Sequence, residues 1–122
     1  MARFRLARPA QIDLANILAT SAERWGAEAQ QRYAAVLAAA MRQVAAEPHG
    51  PLSKKRPDLR SGIRSFHVRS TRSSADTAKV RRPVHVLYYR VAEVGVIEIV
   101  RVLHERMDPN RHLDEPPTED DI

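Results

Sequence analysis

A cluster of charged residues near the C-terminus is the part of this sequence best equipped for chemistry. It follows a run of Val and Ile that predicts a strand, is closed by Pro109, and consists of Arg101, His104, Glu105, Arg106 and Asp108. A histidine can transfer protons, and arginines can hold phosphate or carboxylate groups. Side chains at a strand end are held by rigid backbone yet remain open to a partner, although such charges can also simply solvate the strand terminus.

Other kinds of catalytic or metal site have little support in the sequence. The five histidines show no short ligand spacing and have no cysteine partners, so no metal site is predicted; they are His49, His67, His85, His104 and His112. The four glycines do not cluster into a phosphate-binding loop, and no serine-centred nucleophile motif is present.

The size and composition predict one domain with a single modest core. The 122 residues contain no apolar stretch of the roughly 20 residues that a membrane span needs, and the first residues have no apolar region typical of a signal peptide. Without cysteine there is neither a disulfide nor thiolate chemistry, which fits the cytoplasm. We therefore expect a cytoplasmic protein with no membrane partner and no cofactor.

The charge is unevenly distributed along the chain. Residues 114–122 carry five acidic and no basic side chains, so removing their −5 from the formal net charge of +5 leaves +10 on residues 1–113. A positive body attracts anionic partners, either an acidic protein segment or nucleic acid. Exposed aromatic residues for base stacking are few, but a basic module that only binds nucleic acid remains one alternative.

Two helices are predicted after a short N-terminal strand that contains Phe4 and Leu6. Pro9 suits the first turn of a helix that ends at Gly26, and a second, alanine-rich helix ends before Pro48. Joined by about one turn, they should pack as an antiparallel hairpin. Their apolar stripes and the following strands predict a core of Leu14, Ile17, Leu18, Tyr33, Leu37, Met41, Leu87, Ile97 and Ile99, and Trp25 on the same stripe is more typical of core than of a binding residue.

Three further strands are predicted, in residues 63–69, 83–91 and 94–103, the last two paired as a hairpin around Ala92-Glu93. Residues 52–62 form a basic linker, residues 70–82 a long polar loop, and residues 114–122 a disordered acidic tail. The sequence thus predicts an α+β domain over residues 1–113. In it a helix hairpin packs on an antiparallel sheet of three or four strands.

Several motifs, in this order and spacing, resemble the ParE branch of the RelE/ParE toxins. They are Pro9 to Ile17, Trp25 to Ala29, Leu59 to Arg64, Val86 to Val91 and Ile97 to His104, and the resemblance covers about residues 2 to 113. It implies a toxin of a type II toxin–antitoxin pair that poisons DNA gyrase through protein contact. A ParD-like antitoxin with an acidic, partly disordered segment would neutralise it.

The resemblance also suggests roles for individual residues. The C-terminal face would recognise the target through Arg90, Arg101, His104 and Arg106. The antitoxin would place an amphipathic helix on exposed apolar surface and its carboxylates on basic residues, with contacts to Trp25, Tyr33, Arg60 and Arg64. Arg90 and Arg101 could equally serve structural ion pairs, for example with Glu98.

The RelE relatives imply a different function, ribosome-dependent cleavage of messenger RNA. His104 would then act as acid or base while Arg101 and Arg106 hold the phosphate. However, the tyrosine or second histidine expected beside the last strand is replaced by residues 105–108. We therefore expect His104 to be a hydrogen-bonded cap of the strand end and the protein to be a binder rather than an enzyme.

Overall fold

Two N-terminal helices lie against one face of a five-stranded sheet in the computed structural model, which describes residues 3–72 and 82–113. The predicted loop at residues 70–82 lies largely outside the described residues, and the acidic tail lies wholly outside them. The elements are β1 (Arg3–Leu6), α1 (Arg8–Trp25), α2 (Ala27–Ala46), β2 (Lys54–Lys55), β3 (Arg64–His67), β4 (His85–Glu93), β5 (Val96–His104) and α3 (Pro109–Leu113).

The helix hairpin follows the predicted boundaries closely. Pro9 occupies the first turn of α1, where its missing N–H costs no hydrogen bond. Gly26 separates the helices with φ of 90°, a left-handed conformation that side chains with a Cβ rarely adopt. The Gln30 side chain then donates to the Leu18 carbonyl at 3.1 Å, which ties the second helix to the first. None of the described helices has the length and hydropathy that a membrane span needs.

The sheet confirms the α+β class but has a mixed arrangement. Its strand order is β1-β5-β4-β3-β2, and β1 runs parallel to β5, with Phe4 opposite Ile97, while the other neighbours are antiparallel. The fifth strand is the two-residue β2, which was predicted as linker because two exposed lysines carry no strand periodicity. The parallel pair arises because the helix hairpin and three strands intervene between β1 and β5.

The turn between β4 and β5 lies two residues beyond the predicted one. Glu93 pairs with Val96, so the turn is Val94-Gly95 and not Ala92-Glu93. Gly95 has φ of 75°, a positive value that this turn needs at its second central residue and that a β-branched residue would oppose. The shift places Arg90 directly opposite Glu98.

The core has two parts, one on each face of the sheet. The larger part lies under the helices and includes Leu37, Met41, Leu87, Ile97 and Ile99, five of the nine predicted core residues. The other four, Leu14, Ile17, Leu18 and Tyr33, are only half-buried and pack against its border. Ala10 is the one fully buried side chain of α1, whereas α2 has six. The smaller part, on the opposite face, consists of Ile63, Tyr88, Leu103 and Leu113.

Truncation of the larger core should show how much of the stability it provides. Leu37→Ala and Ile99→Ala remove side chains that are at most 1% exposed, so each should lower the free energy of unfolding by about 2–5 kcal/mol. Leu52→Ala is a matched control, because Leu52 is 55% exposed and its loss should cost about 0.5 kcal/mol or less. Urea denaturation measures both, and equal losses in core and control variants would contradict the packing.

Candidate functional site

A partly buried ion pair fixes the first residue of the charged cluster. The Arg101 guanidinium donates to both carboxylate oxygens of Asp13, with N–O distances of 2.8 and 2.9 Å. Its Nη1 also donates to the His112 carbonyl at 2.8 Å. The two paired side chains are only 15% and 12% exposed. Arg101 is therefore held between α1, β5 and α3.

The position of Asp13 follows from where β1 ends. Beyond Ile99, the edge of β5 that β1 covers has no strand partner among residues 3–72 and 82–113, because Leu6 is the last residue of β1 in the pairing. Asp13 on α1 takes the place of a strand there, and its carboxylate accepts the Val102 backbone N–H at 2.9 Å. A buried N–H without such an acceptor would be costly. Sequence reasoning missed this residue, although a carboxylate within the region of an apolar helix stripe was an available signal.

His104 lies at the end of β5, directly opposite His85 on β4. The two imidazole rings meet edge to face with centroids 5.6 Å apart. The His104 Nδ1 accepts the Arg106 backbone N–H at 3.1 Å, and the His104 carbonyl accepts the Met107 N–H at 2.9 Å. His104 thus caps the strand end, as the cap hypothesis predicted.

The neighbouring His85 is held by Tyr33 from the second helix. The Tyr33 hydroxyl lies 2.6 Å from the His85 Nδ1 and accepts the Val84 backbone N–H at 3.2 Å. Burial is the main cause that lowers the pKa of His85 to about 4, and His104 and His67 act in the same direction. The opposing effects of Asp13 and Glu105 are smaller. A neutral His85 is a good acceptor for the Tyr33 proton but cannot serve as an acid near pH 7.

His67 and Glu105 form a hydrogen-bonded pair close to His85. The His67 Nε2 is 2.7 Å from a carboxylate oxygen of Glu105, and this hydrogen bond lowers the pKa of the Glu105 carboxyl. The Glu105 backbone N–H donates to the Val84 carbonyl at 2.7 Å, which continues the β4–β5 pairing by one residue. Glu105, one of the charged residues that follow β5, therefore has a structural role. Among the described residues, no group of three or more possible ligands is placed to hold a metal ion.

The predicted target-binding residues do not form a single patch. Arg90 donates to Glu98 at 2.9 and 2.8 Å, one of the structural alternatives that the sequence offered. It lies five residues along β4 from His85, the partner of His104, hence about 17 Å from the strand end. At that end, Arg106 and Met107 are exposed, and Met107 is 37% accessible. Arg101 is 15% exposed and His104 is half-buried.

The predicted antitoxin-binding residues are also in different environments. Trp25 is 73% exposed at the tip of the helix hairpin, so its interpretation as a core residue was wrong. Tyr33 is engaged by His85, and Arg64 donates to the Ser53 hydroxyl and carbonyl at 2.8 and 3.3 Å. Arg60 lies exposed in the segment between β2 and β3.

With this architecture in place, comparison with known proteins shows that the chain belongs to the ParE toxins of type II toxin–antitoxin systems. Residues 4–109 match the family model described as the ParE toxin of the parDE system. The chain is 32% identical to "Toxin ParE1" of Mycobacterium tuberculosis over 111 residues, which cover 91% of this chain and 97% of that protein. It is 36% identical to "Toxin ParE1" of Caulobacter vibrioides over 114 residues, 93% and 99% of the two chains.

Family membership confirms the resemblance identified in the motifs and gives the general function. The protein is a ParE-type toxin, and its class works as one half of a toxin–antitoxin pair, so an antitoxin is its partner.

Breaking the ion pair from the carboxylate side should destabilise the fold. Asp13→Ala leaves the Arg101 guanidinium and the Val102 N–H without their acceptor, which should cost about 3 kcal/mol. Arg32→Ala is a control that removes an exposed i,i+4 pair with Glu28 and should cost about 0.5 kcal/mol or less. Thermal and urea unfolding measure both effects. A loss for Asp13→Ala no larger than the control would show that the pair is dispensable.

The low pKa of His85 predicts that stability falls with acidity. Between about pH 6.5, the usual pKa of histidine, and pH 4, His85 is protonated in the unfolded chain but stays neutral in the folded protein. The free energy of unfolding should therefore decrease by about 1–2 kcal/mol across this window, allowing for the solvent that reaches the ring. His85→Gln, measured by urea denaturation at a series of pH values, should flatten this dependence. His49→Gln, at an exposed position, should not change it.

Proposed function

We propose that this toxin acts by binding a protein target, DNA gyrase, and that a ParD-like antitoxin neutralises it. The observation that carries the proposal is the state of Arg101. A nuclease needs cations that can close on a phosphate, but the Arg101 guanidinium is committed to Asp13 and the His112 carbonyl. This arrangement favours recognition by a rigid surface over phosphate chemistry.

The exposed surface for such recognition is the turn after β5. Arg106 and Met107 project from it, and arginine and methionine are enriched at the centres of protein interfaces. Two hydrogen bonds to His104 hold the turn in one conformation, so little conformational entropy is lost on binding. In this proposal Arg106 contacts the target, while Arg101 and His104 hold the turn that carries Arg106 in position. Arg90 would contribute a separate contact farther along the sheet.

The helix hairpin supports the assignment of the antitoxin surface. Leu14, Ile17 and Leu18 are only half-buried on α1, and Trp25 is 73% exposed at its end, which suits the apolar face of an amphipathic helix. The charge of +10 on residues 1–113 suits the carboxylates of an acidic partner. Trp25 and Arg60 are accessible for direct contact. Tyr33 and Arg64, which are held by internal hydrogen bonds, would support the surface from within.

A direct biochemical assay tests the choice of target. The purified toxin, gyrase, ATP and supercoiled plasmid should yield linear DNA after the protein is denatured and digested, because a poisoned gyrase keeps the cut strands covalently bound. Omitting gyrase should leave the plasmid intact. If the toxin instead cuts messenger RNA on translating ribosomes and leaves the plasmid unbroken, the ribonuclease function applies and the gyrase proposal fails.

Three variants separate binding from catalysis in growing cells. Arg106→Ala should weaken toxicity about tenfold, the effect of truncating one interface arginine. His104→Gln keeps the acceptor for the Arg106 N–H and should be mild. Arg24→Ala, an exposed arginine at the far tip of the helix hairpin, should have no effect on growth arrest. The measurement is colony survival at matched protein levels, together with the SOS response.

The opposite order of effects would identify an enzyme. Loss of a proton-transfer group typically lowers a catalysed rate about 10²–10⁴-fold. His104→Gln would then nearly abolish toxicity, while Arg106→Ala would be the weaker variant.

A further inference from the structure

Strand β2 and the residues that follow it form a concentrated positive surface, which we call the basic loop and define as residues 54–60. Its cations are Lys54, Lys55, Arg56 and Arg60, and all but the half-buried Arg56 are exposed. Four cations and one carboxylate, Asp58, give the loop a net charge of +3. Asp58 accepts hydrogen bonds from the Arg56 guanidinium at 3.1 and 3.0 Å. The Arg56 guanidinium also lies over the ring of Tyr88, 5.9 Å from its centroid.

The C-terminal helix ends beside this loop. Leu113 is only 5% exposed and packs in the smaller core with Ile63 and Leu59, which flank the basic loop or belong to it. Ile63 is itself bonded to the loop, since its carbonyl accepts the Arg56 N–H at 2.9 Å and its N–H donates to the Arg60 carbonyl at 3.2 Å. The bond from Arg101 to the His112 carbonyl fixes the same end of α3. The chain therefore starts its last nine residues, 114–122, from a fixed point next to the basic loop.

Those nine residues have the opposite charge. They contain Asp114, Glu115, Glu119, Asp120 and Asp121 and no basic residue. A nine-residue segment reaches at most about 30 Å, far enough to cover the loop from an attachment point that packs against it. Tethering over such a length gives an effective concentration in the millimolar range, so even weak ion pairs become populated when several act together.

We propose that residues 114–122 bind the basic loop of their own chain as an intramolecular acidic ligand. Single exposed ion pairs contribute little, so this electrostatic contact depends on several pairs that form together. It therefore weakens as salt is added. An acidic partner would therefore have to displace residues 114–122 before it could bind the basic loop. Only that last consequence rests on the proposed antitoxin, since the contact itself needs no partner.

Zero-length cross-linking of the full chain tests the contact. A carbodiimide joins a carboxylate to an amine only when the two touch, and the three lysines of the chain are Lys54, Lys55 and Lys79. With toxin made by cell-free synthesis, peptide mapping should find amide bonds from the 114–122 carboxylates to Lys54 or Lys55. Their yield should be independent of protein concentration and should fall several-fold in 0.5 M NaCl.

One variant and one control sharpen the result. Arg60→Glu reverses a charge within the basic loop and should lower the cross-linking yield several-fold, whereas Arg24→Glu at the helix tip should not. Cross-links to Lys79 alone, or yields that rise with protein concentration because two chains are joined, would overturn the proposal. So would an unchanged yield in Arg60→Glu.

Nuclear magnetic resonance provides a second readout that needs no substitution in the folded body. Deleting residues 114–122 should shift the amide signals of residues 54–60 and leave those around Gly26 unchanged. Unshifted signals in the basic loop would overturn the proposal. Neither measurement involves gyrase or an antitoxin, so its failure is distinguishable from failure of the proposed function.

Discussion

The ion pair between Asp13 and Arg101 is the constraint on which the arrangement of this toxin depends. It joins the first helix to the last strand, and the bond from Arg101 to the His112 carbonyl adds the C-terminal helix. The same carboxylate satisfies the Val102 N–H where β1 no longer covers the edge of β5. One interaction thus holds the first helix, the last strand and the C-terminal helix together.

The elements that could be predicted from the sequence are those with a local signal. Pro9 and Gly26 mark the ends of α1, and the alanine-rich stripe that follows marks α2. The prediction misplaced the turn at Val94-Gly95 because the β-branched Val94 and Val96 beside Gly95 continue the strand pattern. In the structure the positive φ of Gly95 marks the turn. The parallel pairing of β1 with β5 leaves no trace in either segment, because periodicity identifies a strand but not its neighbour.

The candidate site shows the same division between local and distant information. The residue types of Arg101 and His104 at a strand end were enough to select them, and the capping of the strand by His104 follows from residues two and three positions away. The partner of Arg101 lies 88 positions earlier in the chain, and Tyr33 lies 52 positions before His85. Such pairs arise from tertiary packing, so a single sequence cannot identify which charge is committed and which is available.

The pairing of β1 with β5 affects when the chain can fold during its synthesis. Residues 3–6 are synthesised before the helix hairpin, yet their partners at 96–99 follow 93 positions later in the chain. Until then the sheet is incomplete, and the helix hairpin has no finished surface to cover. Contacts this distant in sequence also make folding slower than in a protein built from local contacts. A nascent chain that has not reached residues 96–99 therefore cannot complete this sheet, and the fold of the toxin forms only after β5 has been made.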